Sequence, residues 1–475
     1  MREITREQLL ARIEAENPWW QGGGIGAELD ALTPRAYLDL FLPLVTQHSV
    51  RRAAVLMGQR RVGKTVLIHH VIRSLLEQGV APEQISYISV DHPLYNGLGL
   101  EALAELSLSA APSDPSQVAY VFFDEVQYLK GWEVHLKNLV DRKPSLRIVV
   151  SGSAAAALSL KSHESGAGRF TDFLLPPLTF YEYLDLLGEK ELLKETVVGG
   201  RPLFKALDLE RLNSHFLRYL NFGGYPEVVF SEAIQANPSR FIKSDIIDKV
   251  LLRDLPSLYG ISDVQELNSL FTTLAFNTAG ELSLQDLSTN SGVAKNTIKR
   301  YVEYLEAAFL IRIVHRVDES ARRFRRARSF KVYLTNPSMR AALFAPVESD
   351  APELGALAET AVFSQYFHDE GAQLHYSRWK KGEVDIVRLN AAQKPVWAVE
   401  VKWSDRFPTR AGELGALVAF SRANGLSQAW VTTRTIRSEA IESGITLNFI
   451  PTSELCYTVG HNIIHGKRQS SMEIF

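Results

Sequence analysis

Four short apolar runs, rich in β-branched or aromatic residues, punctuate the first third of the chain: Ala53–Met57, Ile85–Val90, Tyr120–Phe123 and Ile148–Val150. Between them apolar positions recur at helical spacing, so strand and helix alternate from about residue 36 to 180. That alternation predicts a parallel sheet covered by helices. Residues 1–35 read as a helical lead-in broken at Gly22-Gly23-Gly24, and residues 181–255 as mainly helical. From 263 to 314 the pattern is helix, helix, turn, helix: Leu284 and Leu287 mark one short apolar face, Ser291-Gly292-Val293 supplies the turn, and Ile298, Tyr301, Val302 and Leu305 mark the next helix. The last part, about 330–475, returns to mixed strands and helices, with a loop expected at Phe344–Pro352. No internal repeat or low-complexity tract interrupts this order.

At 475 residues the chain exceeds one ordinary domain and suggests about three. A formal net charge of −2 gives no global pull toward nucleic acid, so any such contact must come from a local patch. The single cysteine, Cys456, excludes an internal disulfide and a cysteine-based zinc site, and fits a reducing, cytoplasmic setting. The N-terminal MREITREQLL is charged and helical in pattern, unlike a signal peptide. No apolar run approaches the length of a membrane-spanning helix, so no membrane partner is expected.

The segment Gly58-Gln59-Arg60-Arg61-Val62-Gly63-Lys64-Thr65 matches the complete P-loop pattern, with the strand Ala53–Met57 before it and the helical Val66–Leu76 after it. Glycines let the backbone fold around phosphates with N–H groups inward, and the helix start adds a positive dipole end. Gly58, Arg60, Arg61, Val62, Gly63, Lys64, Thr65 and Val66 are therefore expected to cradle ATP, with Lys64 on the β- and γ-phosphates and the Thr65 hydroxyl on Mg2+. The run Tyr120–Phe123 ends in Asp124-Glu125. Asp124 is expected to hold the magnesium and Glu125 to activate the attacking water. Ser151 or Ser153, at the end of the next strand, is the expected γ-phosphate sensor, and Arg169 is a further candidate phosphate contact, in cis or from a neighbouring subunit.

On the last helix of the 263–314 segment, Lys295, Asn296, Lys299 and Arg300 share the open face, as in a winged helix-turn-helix, which serves either to set such residues against a major groove or as a protein-contact or lid module. The stretch 322–331 adds Arg322, Arg323, Arg325, Arg326, Arg328 and Lys331 with no acid among them, enough positive charge to neutralise several phosphates. Further on, Val396–Lys402 reads as a strand whose alternation puts Glu400 and Lys402 on one face. Glu383–Val387 reads as a neighbouring strand carrying Asp385, and Glu359 lies on an amphipathic helix upstream. The order is similar to the restriction-endonuclease-like nuclease motif. Asp385, Glu400 and Glu359 are the expected metal ligands, and Lys402 the residue that orients a metal-bound water.

The chain resembles bacterial and archaeal AAA-type ATPases fused to a C-terminal domain formerly of unknown function. The likeness is carried by the P-loop, by Phe123-Asp124-Glu125-Val126-Gln127 with Trp132, by Gly168-Arg169, Pro177–Tyr183, Gly223-Gly224-Tyr225-Pro226-Glu227 and Arg253-Asp254-Leu255, and by Lys331–Pro337. In the last stretch the family usually has aspartate before the proline or glycine, where this chain has Asn336. The resemblance implies an α/β protein: a P-loop AAA-type parallel-sheet core with a helical lid, a winged helix-turn-helix and a C-terminal restriction-endonuclease-like α/β domain. The expected divisions are a lead-in at 1–35, an ATPase core at 36–190, a helical lid at 191–260, a winged helix with basic wing at 261–330 and the nuclease-like domain at 331–475. The expected function is ATP hydrolysis coupled to binding or processing of DNA, by a homo-oligomer. The alternative is an ATP-controlled regulatory switch whose nuclease-like domain is an inactive docking module.

Overall fold

The P-loop strand β1 (Ala53–Met57) is the second from one edge of a five-stranded parallel sheet with β2 (Ile85–Ser89), β3 (Ala119–Asp124), β4 (Leu146–Gly152) and β5 (Phe170–Leu174), in the order β2-β3-β4-β1-β5. This computed structural model describes residues 4–47, 49–111, 114, 116–153, 168–198, 201–322, 329–367, 369 and 373–466. The chain divides into two compact units, Met1–Leu175 and Pro176–Phe475.

β1, β3 and nearly all of β2 and β4 are buried, as strands covered on both faces must be. β5 was not expected. Its pattern, Phe-Thr-Asp-Phe-Leu, carries polar residues because it is an edge strand with partly exposed positions. The opposite edge, β2, is covered by the lead-in. The Asn17 amide donates to the Tyr87 carbonyl (2.8 Å) and accepts from the Tyr87 N–H (2.6 Å), while the indoles of Trp19 and Trp20 both donate to the Ile85 carbonyl (2.9 and 2.8 Å). Side chains here do what a sixth strand would, satisfying main-chain groups an edge leaves open.

The second unit begins with the helix Phe180–Leu186 and then a hairpin, β6 (Leu193–Val198) and β7 (Arg201–Ala206). This hairpin interrupts a stretch, 181–255, that was expected to be mainly helical. Helices follow, including Leu209–Phe222, and then the helices Val264–Phe276, Leu284–Ser291 and Lys295–Ala307 where the periodicity put them. β8 (Glu281–Ser283), β9 (Ile311–Val317) and β10 (Ser329–Leu334) form an antiparallel set in the order β9-β10-β8. This set does not stand alone. β9 pairs in parallel with β11 (Gln373–Trp379) through Arg316 opposite Tyr376 and Val317 opposite Ser377. The sheet continues through β12 (Gly382–Leu389), β13 (Pro395–Glu400) and β14 (Gln428–Thr433) to β15 (Ser438–Glu442) and β16 (Ile445–Pro451), giving nine strands in the order β15-β16-β14-β13-β12-β11-β9-β10-β8. The expected boundary at 330/331 falls inside β10.

The helix Gly415–Ala423 packs Leu417, Val418 and Phe420 on Val384, Val387, Ala398 and Val431 of this sheet. Gly224 and Asn336 explain each other: a Cβ on Gly224 would stand 2.7 Å from the Asn336 side-chain oxygen and 2.6 Å from Ser338 Oγ. Asn336 is buried, accepts from the Ser338 N–H (2.9 Å) and donates to the Tyr219 hydroxyl (3.3 Å). An aspartate there keeps the first bond and, as a carboxylate, cannot donate the second.

Candidate functional site

Gly58 leaves β1 with its Cα pressed on the end of β5, where an added Cβ would stand 2.3 Å from the Leu175 carbonyl oxygen. Arg61 and Gly63 both take positive φ (66° and 94°), which winds the loop back onto the helix Lys64–Glu77. The buried Lys64 ammonium lies within this loop, donating to the carbonyls of Gly58 (3.2 Å) and Gln59 (2.9 Å). Val62 is fully buried and its carbonyl accepts from Arg35 (2.9 Å). Arg60 is half-buried, Arg61 exposed and Val66 half-buried on the first helical turn.

β3 delivers Asp124 to the same edge. Its Oδ2 accepts from Thr65 Oγ1 (2.7 Å) and from the Tyr87 hydroxyl (2.9 Å), and its Oδ1 accepts from Ser151 Oγ and from the Glu125 N–H (3.1 Å). The Thr65 hydroxyl and Asp124 carboxylate are hard oxygen donors brought together from two elements, the donor set magnesium prefers, so the residues fit that ion. Burial, then the Asp124 charge, push the Tyr87 phenol well above its ordinary range, so it stays a donor. His69 donates from Nδ1 to the Thr65 carbonyl (2.8 Å), and its ring lies 4.6 Å from that of Tyr87 and 6.4 Å from that of Trp19. Burial lowers its pKa and keeps it neutral.

Glu125 stands in the left-handed region (φ 59°). Its carboxylate accepts from the Gln127 amide, whose oxygen in turn accepts from the Ser153 N–H (3.0 Å). Gln127 thus ties the expected water-activating acid to the end of β4. Ser151 spends its hydroxyl on Asp124, whereas the Ser153 Oγ is buried with no hydrogen-bond partner among the described residues. Of the two serines, Ser153 has the hydroxyl left to meet a phosphate.

Arg169 is not brought to this loop. It precedes β5, and its carbonyl accepts from Ala53 N at the opposite end of β1, about 15 Å away at ~3.3 Å per residue. Its guanidinium bonds both oxygens of Asp141 (2.8 and 3.0 Å). A cis phosphate contact is excluded by that position.

In the second unit Lys295, Asn296, Lys299 and Arg300 are all exposed on the helix Lys295–Ala307, and Ile298, Tyr301, Val302 and Leu305 are buried beneath it. Arg322 is exposed, whereas Arg323, Arg325, Arg326 and Arg328 lie outside the described residues. Lys331 departs from the expected basic surface: it is 3% exposed and turns inward. Its ammonium lies 2.9 Å from Glu359 Oε1, 2.9 Å from Glu383 Oε1 and 3.4 Å from Asp385 Oδ1. Lys402 lies 2.7 Å from Glu400 Oε1 and 3.7 Å from Asp385 Oδ2. The Val401 N–H donates to Asp385 Oδ2 (2.9 Å) and the Tyr333 hydroxyl to Glu359 Oε1 (2.7 Å).

Glu359, Asp385, Glu400 and Lys402 are therefore gathered as the sequence led one to expect, but not as a metal centre. Among the described residues no group of three or more His, Cys, Asp or Glu is arranged to hold a metal ion. The magnesium expected at Glu359, Asp385 and Glu400 does not fit, because ammonium groups stand between those carboxylates. Burial, then the Asp385 charge, raise both Glu359 and Glu400 above the carboxylate range. Burial alone would lower Lys331, but the surrounding carboxylates, Glu359 foremost, outweigh it and hold the ammonium charged.

Tyr87, His69, Gln127, Lys331, Tyr333 and Glu383 were given no role in either site from sequence. Glu383 had a usable signal, since it shares a strand face with Asp385 two positions on. Gln127 had only proximity to Glu125, and Lys331 was hidden among arginines.

Residues 50–184 match the model of an AAA domain, and residues 213–351 match a domain of unknown function (DUF8612). The first match supports an AAA-type reading of that stretch, and with it ATPase activity and binding of a nucleotide. The second runs from the helix Leu209–Phe222 past β10 and stops before Glu359, so it too crosses the expected boundary at 330/331. An uncharacterized protein of Haemophilus influenzae is 28% identical over 263 residues, 54% of this chain and 60% of its own length. The chain thus spans less than two thirds of that relative. Two uncharacterized proteins of Methanocaldococcus jannaschii are 23% and 24% identical, covering 70% and 72% of this chain and 71% and 74% of their own lengths. Among solved structures, a yeast Hsp104:casein complex superposes with a TM-score of 0.30 at 16% identity, covering 56% of this chain and 50% of that one. The replication initiator DnaA bound to AMPPCP and single-stranded DNA gives 0.28 at 13% identity, covering 58% and 91%. Superpositions this loose say nothing about what this chain binds. No helix among the described residues is long and apolar enough to cross a membrane.

Proposed function

We propose that this chain hydrolyses ATP at the Lys64–Thr65–Asp124–Glu125 site and couples that cycle to DNA held by its second unit. The observation that carries the ATP reading is the convergence of Thr65, Tyr87 and Ser151 on one buried carboxylate, Asp124, beside the Lys64 loop. Three side-chain donors and the Glu125 N–H fix Asp124 in one orientation before any ligand arrives, and such preorganisation is what a charged transition state rewards. Lys64, already inside the loop, exchanges its carbonyl partners for phosphate oxygens. Thr65 and Asp124 would hold magnesium, whose positive charge would offset that of the phosphates. Glu125 accepts the proton of the attacking water once it leaves Gln127, and the Ser153 hydroxyl reports the γ-phosphate to the same glutamine.

DNA is supported by the exposed Lys295, Asn296, Lys299 and Arg300 on a helix that follows a short strand and helix and precedes the β9-β10 pair. This is the element order of a winged helix-turn-helix. The restriction-endonuclease-like order of Glu359, Asp385 and Glu400-x-Lys402 supports a nucleic-acid ancestry for the last part. One observation favours the second reading, in which that module docks and does not cut: its carboxylates are already paired with lysines.

Phosphate release from ATP tests the first reading. Lys64→Ala should lose nucleotide binding, and Glu125→Gln should bind normally while turnover falls ~10²–10⁴-fold. Unchanged turnover in both would end it. Equal turnover with and without duplex, single-stranded and branched DNA would remove the coupling.

A further inference from the structure

β10 lies three strands from β12 in the nine-stranded sheet, about 14 Å at ~4.8 Å per strand if the sheet were flat. Yet Lys331 of β10 reaches Glu383 and Asp385 of β12, crossing 5.6 Å above the Tyr376 ring of β11. The sheet therefore curls over this face, and what it encloses is the carboxylate cluster. Lys331 bonds the oxygens that a metal would need on Glu359 and Asp385, while Lys402 takes one oxygen of Glu400 and approaches the other side of Asp385. A divalent ion would have to stand about 2.1 Å from the same Glu359 and Asp385 oxygens, in the space the ammonium fills.

We infer that Lys331 is the resident cation of this cluster: it takes the place of a divalent metal, pins β10 to the nuclease-like strands and leaves the module metal-independent. This rests on the nuclease-like reading of residues 331–475 and adds what regulates that site. The Tyr333 hydroxyl, on the same face of β10, holds Glu359 toward Lys331 (2.7 Å to Oε1), so two side chains of one strand serve the same joint. The Glu400 Oε2 is buried with no hydrogen-bond partner among the described residues, an oxygen ready to ligate once the ammonium is gone.

The test is a Mn2+ titration of nucleotide-free protein, following free Mn2+ by electron paramagnetic resonance, on the full chain and its Lys331→Met, Asp385→Asn and doubly substituted forms. The natural chain and Asp385→Asn should take up the same Mn2+. Lys331→Met should take up one more equivalent, lost again in the double variant. Mn2+ uptake by the natural chain that Asp385→Asn or Glu400→Gln removes would overturn the inference, as would a folded Lys331→Met with no added uptake. Should Lys331→Met not fold, the comparison of the natural chain with Asp385→Asn decides alone. Retention of labelled DNA by the same samples tests the DNA reading separately. Gained Mn2+ without DNA binding keeps this inference and discards that reading.

Discussion

Gly58→Ala is the sharpest probe of how the phosphate loop is built. The new methyl would sit 2.3 Å from the Leu175 carbonyl oxygen and 3.2 Å from Val62 Cγ2. The first is about 1 Å inside the ~3.3 Å at which carbon meets a carbonyl oxygen. Leu175 cannot retreat freely, because its own N–H donates to the Met57 carbonyl (2.7 Å) and β5 is paired with β1 up to that point. Overpacking of this kind costs ~1–3 kcal/mol, and loosening the Leu175–Met57 bond adds ~1 kcal/mol. The expected destabilisation is thus about 2–4 kcal/mol by those two rules. If half of it is relieved by shifting the loop, ATP affinity falls roughly tenfold, since each ~1.4 kcal/mol is a factor of ten. Urea unfolding and calorimetric titration with ATP read the two parts. Gly355→Ala is the control: its Cβ meets nothing within 4 Å on the helix Leu354–Tyr366, so stability should hold or rise by up to ~1 kcal/mol. A Gly58→Ala protein with native stability and native ATP affinity would refute the reasoning.

Gln127→Ala frees Glu125 and severs its link to Ser153; kcat should change severalfold or more while ATP affinity stays within twofold, by steady-state kinetics and calorimetry. Lys299→Ala with Arg300→Ala should lower the slope of log DNA affinity against log salt by ~2, about 0.9 per phosphate contact, with the ATP site unaffected. Burial holds His461 down to about 4, its ring lying 4.5 Å from Phe204 and 5.1 Å from Tyr181. The unfolded chain, titrating near ~6.5, then binds a proton that the folded chain refuses. Stability is lost as pH falls from ~6.5 toward 4, with ~1–2 kcal/mol gone by pH ~5 after allowing for partial exposure. Denaturant melts at pH 7 and 5 should show a loss smaller by about that amount in His461→Phe; an identical loss would contradict it.

The P-loop, its strand and helix, and the acidic strand tip were legible because the chemistry fixes both residue types and spacing, and Lys64, Thr65, Asp124 and Glu125 stand where that spacing put them. The three helices around Leu287 and Ile298 were legible from periodicity alone. What escaped depends on neighbours distant in the chain. β5 carries Thr171 and Asp172 because one side of an edge strand stays open, so its apolar signal is diluted. Tyr87 looks like any strand tyrosine until β2 is laid beside β3. Lys331 shared its stretch with arginines at five of the preceding nine positions, Arg322 to Arg328, and only the curl of the sheet separates its role from theirs.

Main-chain bonds, not a linker, join the helix that carries Lys299 and Arg300 to the strands that carry Asp385 and Glu400. β9 pairs with β11 at Arg316 and Val317, so one sheet runs through both regions. A load on the exposed helix must either twist that sheet or shear those bonds. Cutting the chain at 330/331 would split β10 and strip β11 of its neighbour, leaving a raw strand edge for other chains to pair with.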